Sequence, residues 1–466
     1  MAKLMLDTIQ KAIESISDSD VAFADIRQEI RQGTHMVVVN GDLRSLNSVN
    51  KSGIVARILV GECWGQASTT SPVTKETLSD LISDATRMAK ASAKHSRKAI
   101  DLNAISSEVK TVWQKVKENP ADVPMEEKLE FVMALDKAQM IDERIVNPNS
   151  VYDDSRRIFR LVNSNGSRLE WDEIRTAAIV QSVAREGTRM HFDYEFQNIM
   201  GGYELIRTID ANEFAEKSAK GAIALLSAEK PPAGEMTVVM DGIMAGIIAH
   251  EVCGHGSEAD EVVKGRSFLT GMVGKKIATD LVTLVDDGTL PGLPGSIPYD
   301  SEGTHSSRTT IIDGGVFTGY LHSLETSVLM GTKPTGNGRA QDYNRRIFAR
   351  MTNTFFDVGD CKNDELVADT KDGLFIEKAM SGMEDVVGGG VQVSALKGYI
   401  IKNGELGTLV RSVSVAGKVL DILQTVDAVG DTLEFSGGTC GKGEEDWVPV
   451  SSGGPHLRAR VVVGGG

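Results

Sequence analysis

Hydrophobic positions follow helical spacing at the start of the chain and then switch to the shorter period of strands. Over residues 3–16, Leu4, Ile9, Ala12 and Ile13 gather toward one side of a helix. From Val21 to about Thr70 the chain is rich in Val, Ile and Thr and is interrupted by turn residues. Met36-Val37-Val38-Val39 leads into Asn40-Gly41, a strong hairpin signal, and an apolar run covers 54–60. Helices are predicted at about 74–95 and 124–141. Strands return over 150–200, with Asn165-Gly166 as a second hairpin turn, and a helix fits 211–227. The Pro- and Gly-bearing stretch 228–234 reads as a linker. A short strand at 236–240 follows, and Asp241 is placed to cap a helix that begins at Gly242. Ile243, Ile247, Ile248 and Val252 share one broad face of that helix, while Ala245, Gly246 and Ala249 let other backbone come close. From Thr309 onward the pattern is mostly short strands separated by Gly and Asp. The expected class is α+β, with an N-terminal α+β domain over 1–230 and a β-rich C-terminal domain over 231–466.

Composition narrows the function classes. A hydrophobic share of 41% and a charged share of 25% over 466 residues describe a globular protein of more than one domain. The net charge of −15 argues against direct nucleic-acid binding, which needs basic patches. Cys63, Cys253, Cys361 and Cys440 are widely spaced and form no disulfide framework. The N-terminus lacks the apolar core of a signal peptide, and no run reaches the roughly 18 apolar residues of a membrane span. A cytoplasmic protein without a membrane partner is expected.

The candidate chemistry is in His250-Glu251-Val252-Cys253-Gly254-His255. Two imidazoles to hold a metal and a carboxylate to take a proton from water are the parts of a metal-dependent hydrolase. The chain has only eight histidines, so the pairing stands out from the composition. On a regular α-helix, residues five apart stand about 140° apart, against about 40° for residues four apart. His250 and His255 can therefore face one ion only if a π-type bulge adds a residue to the turn, or if the helix bends at Gly254. A catalytic zinc usually has three protein ligands. Cys253, Glu258, Asp260 and Cys440 are candidates for the third; Cys253 shares the histidines' turn and reaches the same ion poorly. Glu258 could ligate or orient His255, and composition does not choose between it and Cys440.

The His-Glu-x-x-x-His run, with Gly256 and Glu258-Ala259-Asp260 after it, resembles the TldD/PmbA family of metallopeptidases, also known as modulators of DNA gyrase. Arg350-Met351-Thr352-Asn353-Thr354, Thr439-Cys440-Gly441-Lys442, Val448-Pro449-Val450 and Gly454-Pro455-His456-Leu457 are similar to the family in the same order. The resemblance implies zinc held by His250, His255 and Cys440, with Glu251 as general base, as in the catalytic TldD-like branch. It also implies dimers, homodimeric or with a related subunit, that enclose the site, the N-terminal domain serving dimerisation or forming chamber walls. A substrate confined in this way would be an unfolded polypeptide or peptide.

Other signals are weaker. No Gly-x-Ser-x-Gly elbow accompanies His305 and His322, so a serine hydrolase is not supported. His322 could face the cleft and bind an oxyanion. Arg339, Arg345, Arg346 and Arg350 read as solvated charges by default. No phosphate loop occurs, so ATP is not implied. The leading expectation is an ATP-independent zinc metallopeptidase. The alternatives are a regulatory or binding subunit with a structural or weakly active site, and a zinc amidohydrolase for small molecules.

Overall fold

A computed structural model describes residues 2–94, 100–102 and 107–465, apart from the side chains of residues 2, 3 and 252. The chain is α+β. Its N-terminal half runs α1 (Ala2–Glu14), β1 (Val21–Val39), β2 (Asp42–Val60), β3 (Cys63–Thr69), α2 (Lys75–Ala93), β4 (Val109–Val112), α3 (Met125–Ala138), β5 (Ile145–Asn163), β6 (Arg168–Glu186), β7 (Arg189–Ile199), α4 (Glu204–Thr208) and α5 (Ala211–Leu225). Residue 95, the last of the expected second helix, lies outside the described residues. The strands form one sheet in the order β3-β2-β1-β5-β6-β4, with β7 also on β6. The Asn40-Gly41 turn joins β1 to β2, both residues at positive φ (53° and 76°), as a tight hairpin requires.

Strands β1 and β2 are 19 residues each, longer than their apolar runs suggested. The reason lies in the two faces of β1. Ala24 and Ile26 join Leu6, Ile9, Leu78 and Leu81 in an apolar core with α1 and α2. Asp25, Arg27 and Glu29 point the other way and are buried too. Their cover is the C-terminal half. Arg27 donates to the Ser301 carbonyl at 3.1 Å. Arg57 sits between Asp25, at 2.5 Å, and Glu302, at 3.3 Å. Polar residues that resemble a break in the sequence are thus the face of a continuous strand that meets the C-terminal half.

The C-terminal half continues with β8 (Gly234–Met240), α6 (Gly242–Ala249), β9 (Leu284–Asp287), β10 (Arg308–Asp313), β11 (Val316–Phe317), β12 (Gly338–Arg339), β13 (Phe348–Ala349), β14 (Asn353–Phe356), β15 (Asp372–Asp385), β16 (Gly390–Lys402), β17 (Glu405–Lys418), β18 (Ala428–Val429), β19 (Glu434–Lys442), β20 (Glu445–Gly454) and β21 (Leu457–Gly465). One sheet runs β11-β10-β9-β14-β20-β19. A second runs β17-β16-β15-β8-β21-β18 and closes on itself where β17 also pairs with β21. Strands β15, β16 and β17 have 13 to 14 residues, longer than the mostly short strands expected from Thr309 onward. Interior glycines looked like breaks in the sequence. Gly398 instead marks close packing, since a Cβ there would lie 2.5 Å from the Phe375 carbonyl.

Helix α6 packs against β14 and β20 of the first sheet and β15 of the second. Asp241 caps it, its carboxylate accepting from the Met244 N–H at 2.6 Å. A Cβ on Gly246 would stand 2.3 Å from the Gly453 nitrogen, so the helix and β20 touch backbone to backbone. Among the described residues, no helix is long and apolar enough to cross a membrane.

Replacing Arg57 by Met should leave Asp25 and Glu302 as uncompensated buried carboxylates. Urea unfolding is expected to show a loss of about 3–5 kcal/mol; a loss under about 1 kcal/mol would mean that the ion pairs are not what joins the halves.

Candidate metal centre

The α-helix ends at Ala249, and residues His250–Gly254 form a π turn. The His255 N–H donates to the His250 carbonyl, a bond spanning five residues. The extra residue brings the two imidazoles onto one side, with ring centroids 5.0 Å apart and planes at 86°. Gly254 keeps ordinary helical dihedrals (φ −58°, ψ −63°). Its role is spatial: a Cβ would come 2.1 Å from the Met351 sulfur. Of the two expected geometries, the structure adopts the π bulge.

Cys440, on edge strand β19, reaches between the imidazoles. Its Sγ lies 3.1 Å from His250 Nε2 and 3.3 Å from His255 Nε2. Ligand atoms around a tetrahedral zinc would stand about 3.3–3.6 Å apart, given bond lengths near 2.0–2.3 Å. The three groups therefore converge much as one ion requires, and all three are buried. Burial opposes ionisation of the Cys440 thiol, but the adjacent His250 and His255 outweigh it and hold its pKa well below the usual thiol range. A thiolate between two imidazole nitrogens is a donor set suited to zinc.

Glu258 stands behind His255, its Oε2 3.1 Å from Nδ1. With a proton on Nδ1 donated to Glu258, Nε2 is left as a lone-pair donor facing Cys440. Of its two sequence readings, the structure places Glu258 as an orienting partner rather than beside the sulfur. Burial would raise its pKa, but Lys442 at 3.0 Å and His255 bring it down to about 2. Lys442 also binds Asp260 at 2.7 Å, so that candidate ligand is engaged elsewhere. His250 Nδ1 is buried and has no hydrogen-bond partner among the described residues.

Glu251 leaves the same turn half-buried. Burial, reinforced by the Glu384 carboxyl and opposed by His250, pushes its pKa up to about 7. Oxygens of Glu251 and Glu384 and a His255 nitrogen lie within 4.8 Å of one another. Gly382, on the same strand as Glu384, abuts Glu251; a Cβ there would sit 2.4 Å from Glu251 Cγ. Nothing in the sequence around 382–384 signals this role, because the contact is made across the fold.

The arginine cluster requires a correction. Arg350 is fully buried and Arg339 nearly so, not solvated. Arg350 donates to the Cys440 carbonyl at 2.7 Å and to Glu445 at 2.9 Å. Arg339 donates to the Met351 and Pro449 carbonyls at 2.6 and 2.7 Å. Both tie the strand carrying Cys440 and its partner β20 to the segment around Met351, with Arg346 left exposed. Cys253 is core, and burial pushes its thiol up. His322 is buried against Thr326 and Tyr320, its pKa lowered by burial to about 4. His305 pairs with Glu108 at 2.6 Å. Among the described residues, no hydrogen bond or ion pair joins either to the trio.

Three family models cover most of the chain: PmbA/TldA metallopeptidase domain 1 over 24–89, the central domain over 118–226 and the C-terminal domain over 233–465. The chain is 36% identical to Metalloprotease MJ0996 of Methanocaldococcus jannaschii, over 99% of this chain and 100% of that protein. It is 26% identical to the Zinc metalloprotease TldD homolog of Saccharolobus solfataricus, over 98% and 99%. Its fold matches TM0727 of Thermotoga maritima, described as a candidate modulator of a DNA gyrase, with TM-score 0.80 at 18% identity over all of both chains. TldE from Thermococcus kodakarensis has the same fold, with TM-score 0.75 at 17% identity over 99% and 100%.

Glu258→Gln removes the charge behind His255 but keeps the side chain's shape. The affinity of the trio for a divalent metal is expected to fall about 10- to 100-fold, read by competition with a chromophoric chelator; unchanged affinity would show that Glu258 serves only Lys442.

Proposed function

The chain belongs to the PmbA/TldD metallopeptidase family, and from that premise we propose that it is a zinc-dependent peptidase that cleaves unfolded polypeptides and peptides without ATP. Glu251 carries the reading. It is a carboxylate beside the His250/His255/Cys440 group, half-buried and, among the described residues, drawn into none of the ion pairs around that group. A purely structural zinc takes a fourth protein ligand and has no use for a base at its side.

Zinc at the trio would supply Lewis acidity toward a peptide carbonyl and toward water. Glu251, beside the trio, would accept a proton on its carboxylate and return it to the departing amine. Cys440 brings negative charge to the donor set, which tempers the Lewis acidity and favours slow turnover.

Substrate class follows from access. All three candidate ligands are buried, which suits an extended chain and disfavours a folded protein. Strand β19, which carries Cys440, is the last strand of its sheet. A substrate strand added there would be read through its main chain, so broad sequence tolerance is expected. The reading includes a cytoplasmic dimer, of identical chains or with a related subunit, around the site.

Metal-loaded protein incubated with an unstructured polypeptide should yield fragments by mass spectrometry. Glu251→Gln is expected to slow their formation by about 100-fold or more, and a chelator to abolish it. Stoichiometric zinc with no cleavage, alone or with a related subunit, would favour the regulatory or binding reading instead. Cleavage confined to small amides would favour the amidohydrolase.

A further inference from the structure

Strand β15 runs parallel to β8 only through Ile376. There β8 ends and the chain turns into α6. Beyond that point β15 keeps β16 as its sheet neighbour, and this overhanging arm carries Gly382 and Glu384 to the side of Glu251. The arm begins at an irregularity. Lys378 has φ +60°, a conformation side-chain-bearing residues rarely adopt, and the β15–β16 register shifts between Ala379 and Ser381.

That strained point is held by the N-terminal half. Lys378 Nζ donates to Asp193 Oδ1 at 2.6 Å, Glu195 Oε1 at 2.6 Å and the Tyr194 carbonyl at 2.7 Å. All three ammonium hydrogens are thereby used on one strand, β7. The Tyr194 hydroxyl donates to the Ala379 carbonyl at 2.5 Å. Asp193 is fully buried and also faces Lys397 at 3.5 Å, which itself pairs with Glu377 at 3.2 Å. The Lys378 N–H donates to Asp241 Oδ2 at 3.3 Å, on the carboxylate that caps α6. One residue thus joins the N-terminal sheet, the start of the helix that carries the histidines, and the arm that presses on Glu251. Strain of this kind persists only where the surroundings over-determine it, and here they do.

We infer that Lys378 is a positioning residue: clamped by β7, it fixes the arm of β15 against Glu251, so the N-terminal half sets the placement of the base. The inference rests on the peptidase reading for its catalytic consequence, and its structural content stands apart from that reading.

The test compares full-length, metal-loaded wild type with Lys378→Met, Lys378→Arg, Gly382→Ala and the Lys378→Met/Gly382→Ala double variant. Lys378→Met should lower kcat on an unstructured polypeptide by about 10- to 100-fold, with KM and bound zinc unchanged, and Lys378→Arg should recover much of the loss. Gly382→Ala should lower kcat in the same way. The double variant should be no worse than the poorer single one, because both act on Glu251 through one arm. Losses that multiply, or a kcat for Lys378→Met equal to wild type, would overturn the inference. Amide hydrogen exchange gives a readout free of activity. In Lys378→Met, amides of 379–385 should exchange about tenfold faster or more while those of β1 and β2 keep their rates; unchanged exchange at 379–385 would overturn the inference even if the wild type cleaved nothing. A wild type that cleaves nothing counts against the peptidase reading alone. Should Lys378→Met fail to fold, Glu195→Gln removes the charge from one of the three acceptors and is expected to give the same pattern at smaller amplitude.

Discussion

The five-residue hydrogen bond from His255 to His250 is the constraint on which the rest of the site depends. A regular helix would turn the two imidazoles away from each other. The π turn returns them to one side, and its surroundings are arranged to keep it. Helix α6 is apolar on every face, so it is pinned between two sheets with little freedom to rewind. Asp241 fixes one end, and the Met351 sulfur fills the space beside Gly254 at the other. Immediately after the turn, the Glu258 carboxylate fixes the second imidazole by its far nitrogen.

Around that turn the fold buries charge and pairs it locally. Glu258 and Asp260 meet Lys442 at 3.0 and 2.7 Å, and Glu445 meets Arg350 at 2.9 Å; Arg350 also donates to the Cys440 carbonyl at 2.7 Å and stands 3.6 Å from Glu258. Buried ion pairs of this kind contribute little net stability over apolar packing, because desolvation offsets attraction. Their value here is geometric. Arg350 grips the backbone of Cys440 itself, so the thiol's position is set by a side chain 90 residues away in sequence. A site built on mobile loops would need no such cost.

Much of this was legible in the chain because it is local. The hairpin at Asn40-Gly41, the cap at Asp241 and the demand for either a π bulge or a bend at Gly254 all follow from residues close in sequence. What sequence could not supply is whatever depends on contact across the fold. Arg350 and Arg339 look like surface charges until the strands that bury them are in place. Asp25, Arg27 and Glu29 look like a break in β1 because nothing nearby shows that residues 301–343 cover them. Glu384 and Gly382 carry no local motif, and only the length of β15, hidden by its glycines, brings them to Glu251. In each case the missing information is a long-range partner, and a polar residue's meaning depends on that partner more than an apolar residue's does.

The same long-range character determines when the site can exist. His250 and His255 follow the first strand of the C-terminal half, while Cys440 lies on β19, near its end. Strand β21 pairs with β8, so the last strand of this half closes beside the first. The trio can therefore meet only after nearly the whole C-terminal half has folded. Contacts so distant in sequence form late and slowly. A partly folded chain would present the histidines without the thiol, a weaker donor set. Metal bound by all three would in turn stabilise the closed state over every state in which β19 has not docked. Coupling between closure and ligand convergence restricts the candidate metal centre to the finished fold, in which all three ligands are buried.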